Sequence, residues 1–340
     1  MRIEISRQEP FDVPVLLICY HRLDTLKLVL GQIAKVRPRR LYVFADGPRA
    51  DRPEDERKTQ DVREYIDSHI DWSCELHRMY QEANKGCRIG PPGAISEVLS
   101  REESVIIVED DMYCDPSFFY FCRAMLERYR DDQRVMMISG LSVRAKECFG
   151  ENDAVFSLFS SIWGWATWRR AWNYYDVDVR DWPEARRTGK LQGLFTPDAY
   201  EQIRHSYNNC LLKKYPNWDY QWDFARHLRN GLGIIPKFNL VRNIGFEQGS
   251  GEHDFDVSKM PEMKLEPIGD AIEMPEQVER SMLYDTQFMR EFYPHLTPRA
   301  RIVRNTAEWI ALNLPGFWRF LVNSKRKILS VFRPHSRMAE

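Results

Sequence analysis

The sequence predicts an α/β fold: a mostly parallel, doubly wound sheet with helices on both faces, followed by a C-terminal helical extension. Three observations predict it. Fully apolar runs at 15–19 (VLLIC), 41–45 (LYVFA) and 105–108 (VIIV) have the length and residue types of strands buried on both faces. Stretches of helical character separate them, among them 25–34, with Leu26, Leu28, Val29, Leu30 and Ile33. Turn residues punctuate the alternation, as at Asp46-Gly47-Pro48.

The elements follow in order. Pro14 stands at the start of the first strand, where proline is tolerated. The charged stretch 53–69 reads as a solvated helix, 74–79 as a third strand and 92–99 as a helix. After the 105–108 strand, Asp115 caps a helix and Pro116 occupies its first turn. Phe118, Cys122, Met125, Leu126 and Tyr129 then share one face. A short strand is expected at 135–139, a strongly aromatic stretch at 156–175, helices at 198–212 and 219–229, and short strands at 234–235 and 240–241.

The last stretch differs. Prolines and acids make 258–279 a wrapping segment, so the chain divides into a first unit over 1–257 and a C-terminal part over 258–340. Residues 307–322 (AEWIALNLPGFWRFLV) are apolar but interrupted by Glu308, Pro315 and Arg319, and Lys325-Arg326-Lys327 follows. Two readings stay open: a C-terminal helix packed on the domain, or a basic amphipathic tail lying on an anionic membrane surface.

Composition excludes several classes. A chain of 340 residues that is 43% hydrophobic and 29% charged is neither disordered nor collagen-like. A formal net charge of -1 argues against a nucleic-acid partner, which would require a basic excess. Ten tryptophans suit a protein that stacks on rings, whether bases or sugars. The seven cysteines are scattered without a C-x-x-C pair, so reduced thiols in the cytoplasm are expected rather than a zinc site. There is no apolar signal-like start and no run of 18 apolar residues, which leaves the inner face of a membrane as the alternative location.

The chemistry concentrates after the VIIV strand, at Glu109-Asp110-Asp111. Ligands of open parallel sheets bind at the carboxyl ends of strands. Adjacent buried carboxylates repel unless a cation offsets them, and oxygen ligands suit Mg²⁺ or Mn²⁺. The plainer alternative is an acidic helix start. The run VIIVEDDMYCDPSFFYF resembles the metal-binding signature of nucleotide-sugar glycosyltransferases of the GT-A fold, most of all the inverting N-acetylglucosaminyltransferase I type and bacterial relatives of the same layout. The likeness runs in motif order over about residues 12–255.

The resemblance implies a donor that is a nucleoside-diphosphate sugar, UDP-linked, with Glu109 and Asp110 on the nucleotide sugar and Asp111 on the metal. It puts Arg22, after the first strand in CYHRLDT, beside the nucleotide, where a guanidinium offers two donors to a phosphate or a base carbonyl. It gives Asp46 the uracil N–H; the residue types alone favour a tight turn there. Arg88, in NKGCR, faces the diphosphate where the family has a histidine, a departure from the pattern. Trp218-Asp219 matches a pair in which the aspartate is the catalytic base, with helix capping as the alternative role, and Trp218 stands at the donor. Ser250 and His253, in a closing loop, are implied to reach the diphosphate and the metal. The activity implied is transfer to a hydroxyl of a glycan or lipid-linked glycan in surface polysaccharide assembly. A sugar-phosphate nucleotidyltransferase would want a glycine-rich loop where CYHRLDT stands, and a non-catalytic membrane-surface adaptor would leave the acidic triplet unused.

Overall fold

The computed structural model describes residues 1–7, 10–142, 146–213, 215–245, 264–293, 297–314 and 316–317. In chain order its strands are β1 (Arg2–Glu4), β2 (Val15–Cys19), β3 (Arg40–Ala45), β4 (Glu75–Tyr80), β5 (Ser104–Glu109), β6 (Met112–Cys114), β7 (Val135–Ser139), β8 (Ala154–Ser157), β9 (Trp165–Trp168), β10 (Leu232–Pro236), β11 (Val241–Asn243) and β12 (Ala271–Glu273). Its helices are α1 (Leu23–Val36), α2 (Pro53–His69), α3 (Gly90–Arg101), α4 (Pro116–Arg128), α5 (Arg169–Trp172), α6 (Trp182–Arg187), α7 (Pro197–Leu211), α8 (Asp219–Leu228), α9 (Met282–Phe292) and α10 (Pro298–Asn313).

Eight strands form one sheet in the order β4-β3-β2-β5-β9-β7-β10-β8. Six run one way; β9 and β8 run against them. Side chains alternate across each strand, so two cores result. Leu17, Val43, Ile106 and Val108 face α1, α2 and α4 through Leu30, Ile33, Val62, Phe118 and Met125. Leu16, Phe44, Val105 and Ile107 face α3 and α8 through Ile95, Val98, Trp218 and Trp222. The expected α/β class, with helices on both faces and a C-terminal helix, is what the chain adopts.

The aromatic stretch 156–175 conceals β9. Its four residues, Trp165 to Trp168, are all buried because the strand lies in mid-sheet between β5 and β7. With both faces covered, no alternation marks it. Two small ribbons are also unannounced in the sequence. β1 pairs with β12, joining the N-terminus to the wrapping segment, and β6 pairs with β11. The α4 start follows expectation: Asp115 accepts from Ser117 N at 2.8 Å, with Pro116 in the first turn. From the C-terminal part, Ile272, Met274 and Met289 enter the larger of the two cores.

One topological feature positions the site. From β2 the chain winds outward through β3 to β4, then returns to β5 on the other side of β2. The carboxyl ends of β2 and β5 therefore open where the winding reverses, which is where open α/β sheets bind ligands.

Candidate functional site

At that reversal β5 ends in Glu109, and Asp110 and Asp111 follow. The backbone sets their place: Asp110 N donates to Ile18 O at 2.9 Å, and Tyr20 N donates to Asp110 Oδ2 at 3.0 Å. Arg22, just ahead of α1, donates to both neighbours, Nη2 to Asp110 Oδ1 and Nη1 to Asp111 Oδ2, the latter at 2.6 Å. Tyr20 turns the other way, donating from Oη to Asp55, which Arg49 Nε holds at 2.6 Å. Burial raises Glu109 and Asp110 above the usual carboxylate range, the charge of Asp111 adds to this, and Arg22 opposes it.

Gly245 closes this corner. The β6–β11 ribbon brings it under the acidic turn, with Ile244 N donating to Asp111 O at 2.8 Å. A Cβ at Gly245 would lie 2.5 Å from Asp111 Oδ2, so no side chain fits. Asp111 Oδ1 is buried and has no hydrogen-bond partner. Such an orphaned carboxylate oxygen fits a hard cation, since burying it uncompensated is costly. Among the described residues no group of three or more His, Cys, Asp or Glu is arranged to hold a metal ion. Ser250 and His253, expected at the diphosphate and the metal, lie outside the described residues.

Asp46 ends β3, beside β2. Its carboxylate accepts from Gly47 N and Lys85 N at 2.8 Å each, from Gly86 N at 3.0 Å and from Asn84 Nδ2 at 3.1 Å. The three donors from 84–86 fold that loop over the strand end. Gly47 permits the closeness, since a Cβ there would meet Ala83 C at 2.4 Å. Arg88 leaves this loop toward another segment: Nη2 donates to Val177 O at 2.7 Å and pairs with Asp178 at 3.4 Å, while Nη1 is buried without a partner.

Asp219 opens α8. The capping position belongs to Trp218, which makes no side-chain cap bond, so Asp219 is the first residue of the helix proper. Its Oδ1 is buried without a partner. Burial, then the charge of Asp223, pushes its carboxyl up to about 6, against the pull of backbone N–H groups at the helix start and of Asn217. It lines a cavity of about 210 Å³ with Asp223, Ser160, Ser161, Trp163, Phe288 and Phe292. The acidic turn is near enough for the Asp219 charge to help raise Glu109. Trp218 is 2% exposed. Its ring lies 5.8 Å from Trp165 and 6.0 Å from Trp172, so it is packed into the core next in sequence to Asp219.

The structure thus gathers Arg22, Glu109, Asp110 and Asp111 at one strand edge, with Asp46 on the adjoining strand and Asp219 nearby. Sequence reasoning missed Gly245 and the α9 aromatics Phe288 and Phe292. Gly245 lies within a Gly- and Ser-bearing stretch with nothing to single it out. The α9 side chains fall in the C-terminal part, just beyond the wrapping segment, where the sequence motifs place no site residue.

No family model and no curated protein matches the sequence. Solved structures similar to the chain include S. aureus TarS (residues 1–349), at 13% identity and a TM-score of 0.36 over 67% of this chain and 58% of that one. GalNAc-T7 with UDP, GalNAc and Mn²⁺ aligns at 10% identity and a TM-score of 0.40, over 68% of this chain and 43% of that one. A UDP-glucose pyrophosphorylase complexed with UDP-glucose aligns at 10% and 0.34, over 70% and 96%. The chain spans about half the length of the first two. Likeness at this level leaves function to the site's own chemistry.

Proposed function

We propose that the chain is a metal-dependent, inverting glycosyltransferase of the GT-A type, moving a sugar from a nucleoside-diphosphate sugar, UDP-linked, to a hydroxyl of a glycan or glycolipid. One observation carries the reading. A buried carboxylate with an unpartnered oxygen, Asp219, borders an aromatic-walled cavity beside an acidic turn at the sheet's winding reversal. The narrower kinship with the N-acetylglucosaminyltransferase I type belongs to this proposal and rests on the sequence motifs.

The residues divide the work. The acceptor sugar enters the cavity, where Trp163 and Phe288 offer faces to its C–H surface and Ser160 and Ser161 offer hydroxyls. Asp219 takes the proton from the attacking hydroxyl; its raised pKa makes it a stronger base than an ordinary aspartate. On the donor side, Arg22 has two donors in a fixed fork, suited to phosphate oxygens. Asp46 holds the 84–86 loop in shape for the base. Asp111, through Oδ1, and His253 are the residues that would hold Mn²⁺ or Mg²⁺, with Glu109 and Asp110 serving the nucleotide sugar. When bound, such a cation supplies charge stabilisation to the departing diphosphate.

The test is a thermal-shift panel of UDP, GDP and their sugar conjugates, each with Mn²⁺ and with chelator, followed by an NMR assignment of the product's anomeric configuration. A stabilisation that needs both nucleotide and metal is expected, with inversion at the anomeric carbon. Release of pyrophosphate from a sugar phosphate and UTP would instead make the chain a nucleotidyltransferase. No nucleotide response under any condition would leave the reading without support.

A further inference from the structure

α10 sits on α7 with its polar side inward. Arg301 Nη2 donates to Asp198 Oδ1 at 2.7 Å, and Arg204 of α7 donates to Asn305 Oδ1 at 2.7 Å. Glu308, 2% exposed, accepts from Arg204 at 2.7 Å and Asn208 at 2.8 Å and pairs with His205. Positions 301, 305 and 308 recur at helical spacing, so one polar stripe makes the attachment. The outward side carries four large apolar side chains, with Thr306 and Asn313 exposed among them. Ile302 is 67% exposed, Val303 62%, Trp309 55% and, just beyond the helix, Leu314 45%. A surface helix ordinarily turns its apolar stripe to the core. Here charge pairing fixes the helix the other way round and holds the apolar stripe outward.

We propose that this outward stripe of α10 docks on an anionic lipid surface. The charge of the sequence that follows selects that occupant. From 318 to 340 the sequence carries Arg319, Lys325, Arg326, Lys327, Arg333 and Arg337 against Glu340 alone. A second copy of the chain would carry the same basic sequence and repel; an anionic bilayer attracts it. Tryptophan prefers the headgroup level, which suits Trp309. Among the described residues no helix is long and apolar enough to cross a membrane, so the contact is with the bilayer surface. The inference does not depend on the enzymatic reading.

The experiment is flotation of the full chain with vesicles of phosphatidylcholine alone or with one quarter phosphatidylglycerol, at low and high salt. Binding to the anionic vesicles at least tenfold above the neutral ones, weakened by salt, is expected. The triple variant Ile302→Ser, Val303→Ser, Trp309→Ser should lose at least tenfold while keeping its melting temperature, because none of the three joins the polar attachment. Lys325→Gln, Arg326→Gln, Lys327→Gln should lose the preference for anionic lipid. The proposal is overturned if the wild type ignores both vesicles or the serine variant floats as well as wild type. It is equally overturned if light scattering finds a dimer that the serine variant dissolves.

Discussion

Two groups of buried carboxylates stand near each other and differ in whether a cation is built in beside them. At the acidic turn, Asp110 and Asp111 share one guanidinium and are fixed by backbone N–H groups. At the start of α8, Asp219 has aromatic walls, a like-charged neighbour in Asp223 and an oxygen that nothing touches. Burial raises the carboxyl pKa in both places, but at the acidic turn a built-in cation, Arg22, opposes the rise and marks where positive charge is wanted. At Asp219 no cation does so, and the carboxyl is left as a base. The same functional group is tuned to two tasks by what surrounds it.

Substitutions can break this contrast. Asp111→Asn leaves the shape but removes the charge the cation needs, and transfer should fall to background while the melting temperature stays within a few degrees. Measurable turnover in a Mn²⁺ titration would move the metal elsewhere. Asp219→Asn should lower turnover by roughly 10²–10⁴-fold with donor affinity unchanged, the usual size of a general-base contribution. Asn can accept from the backbone N–H groups at the helix start as Asp does, so near-normal turnover would remove Asp219 from the chemistry and point to Asp223.

Smaller effects sharpen the comparison. A base with its pKa at about 6 must be deprotonated to act. Turnover should therefore decline about tenfold per pH unit below about 6, where an ordinary aspartate would hold its activity to about pH 4. Arg22→Gln removes the built-in counter-charge, and calorimetry without nucleotide should find Mn²⁺ bound about tenfold more tightly. Unchanged affinity would mean that the guanidinium and the metal do not compete. Last comes stability. A carboxyl whose pKa rises on folding destabilises the protein once it ionises, a penalty absent below its unfolded pKa of about 4 and complete above about 6. Asp219→Asn should then melt a few degrees higher than wild type at pH 7.5 and level with it near pH 4, by calorimetry.

Sequence alone revealed what short-range pattern can carry. The VLLIC and VIIV strands are apolar throughout, and Asp115-Pro116 is a start signal contained in adjacent residues. Arg22, Glu109 and Asp111 could be placed because strand ends announce themselves. What escaped depends on partners far along the chain. Trp165 to Trp168 gives no strand signal because it is four residues long, includes Thr167 and lies inside a longer aromatic stretch. The four donors on Asp46 include two backbone N–H groups from the 84–86 loop, and backbone has no residue signature. Glu308 reads in sequence as an interruption of an apolar run, whereas Arg204, His205 and Asn208, a hundred residues earlier, make it the anchor of α10.

The tryptophan cluster that holds Trp218 has an optical consequence. Trp165, Trp172 and Trp222 lie with ring centroids 5.0–6.1 Å apart at differing tilts, and Trp218 stacks against Trp165. Transition dipoles so close and so skewed couple strongly, and a fixed cluster of this kind gives an intense near-ultraviolet circular dichroism. Since Asp219 follows Trp218 directly, the signal of that cluster reports whether the start of α8 keeps its packing. The protein therefore contains its own chromophore for the integrity of the segment that carries Asp219, and a variant there can be checked without a label.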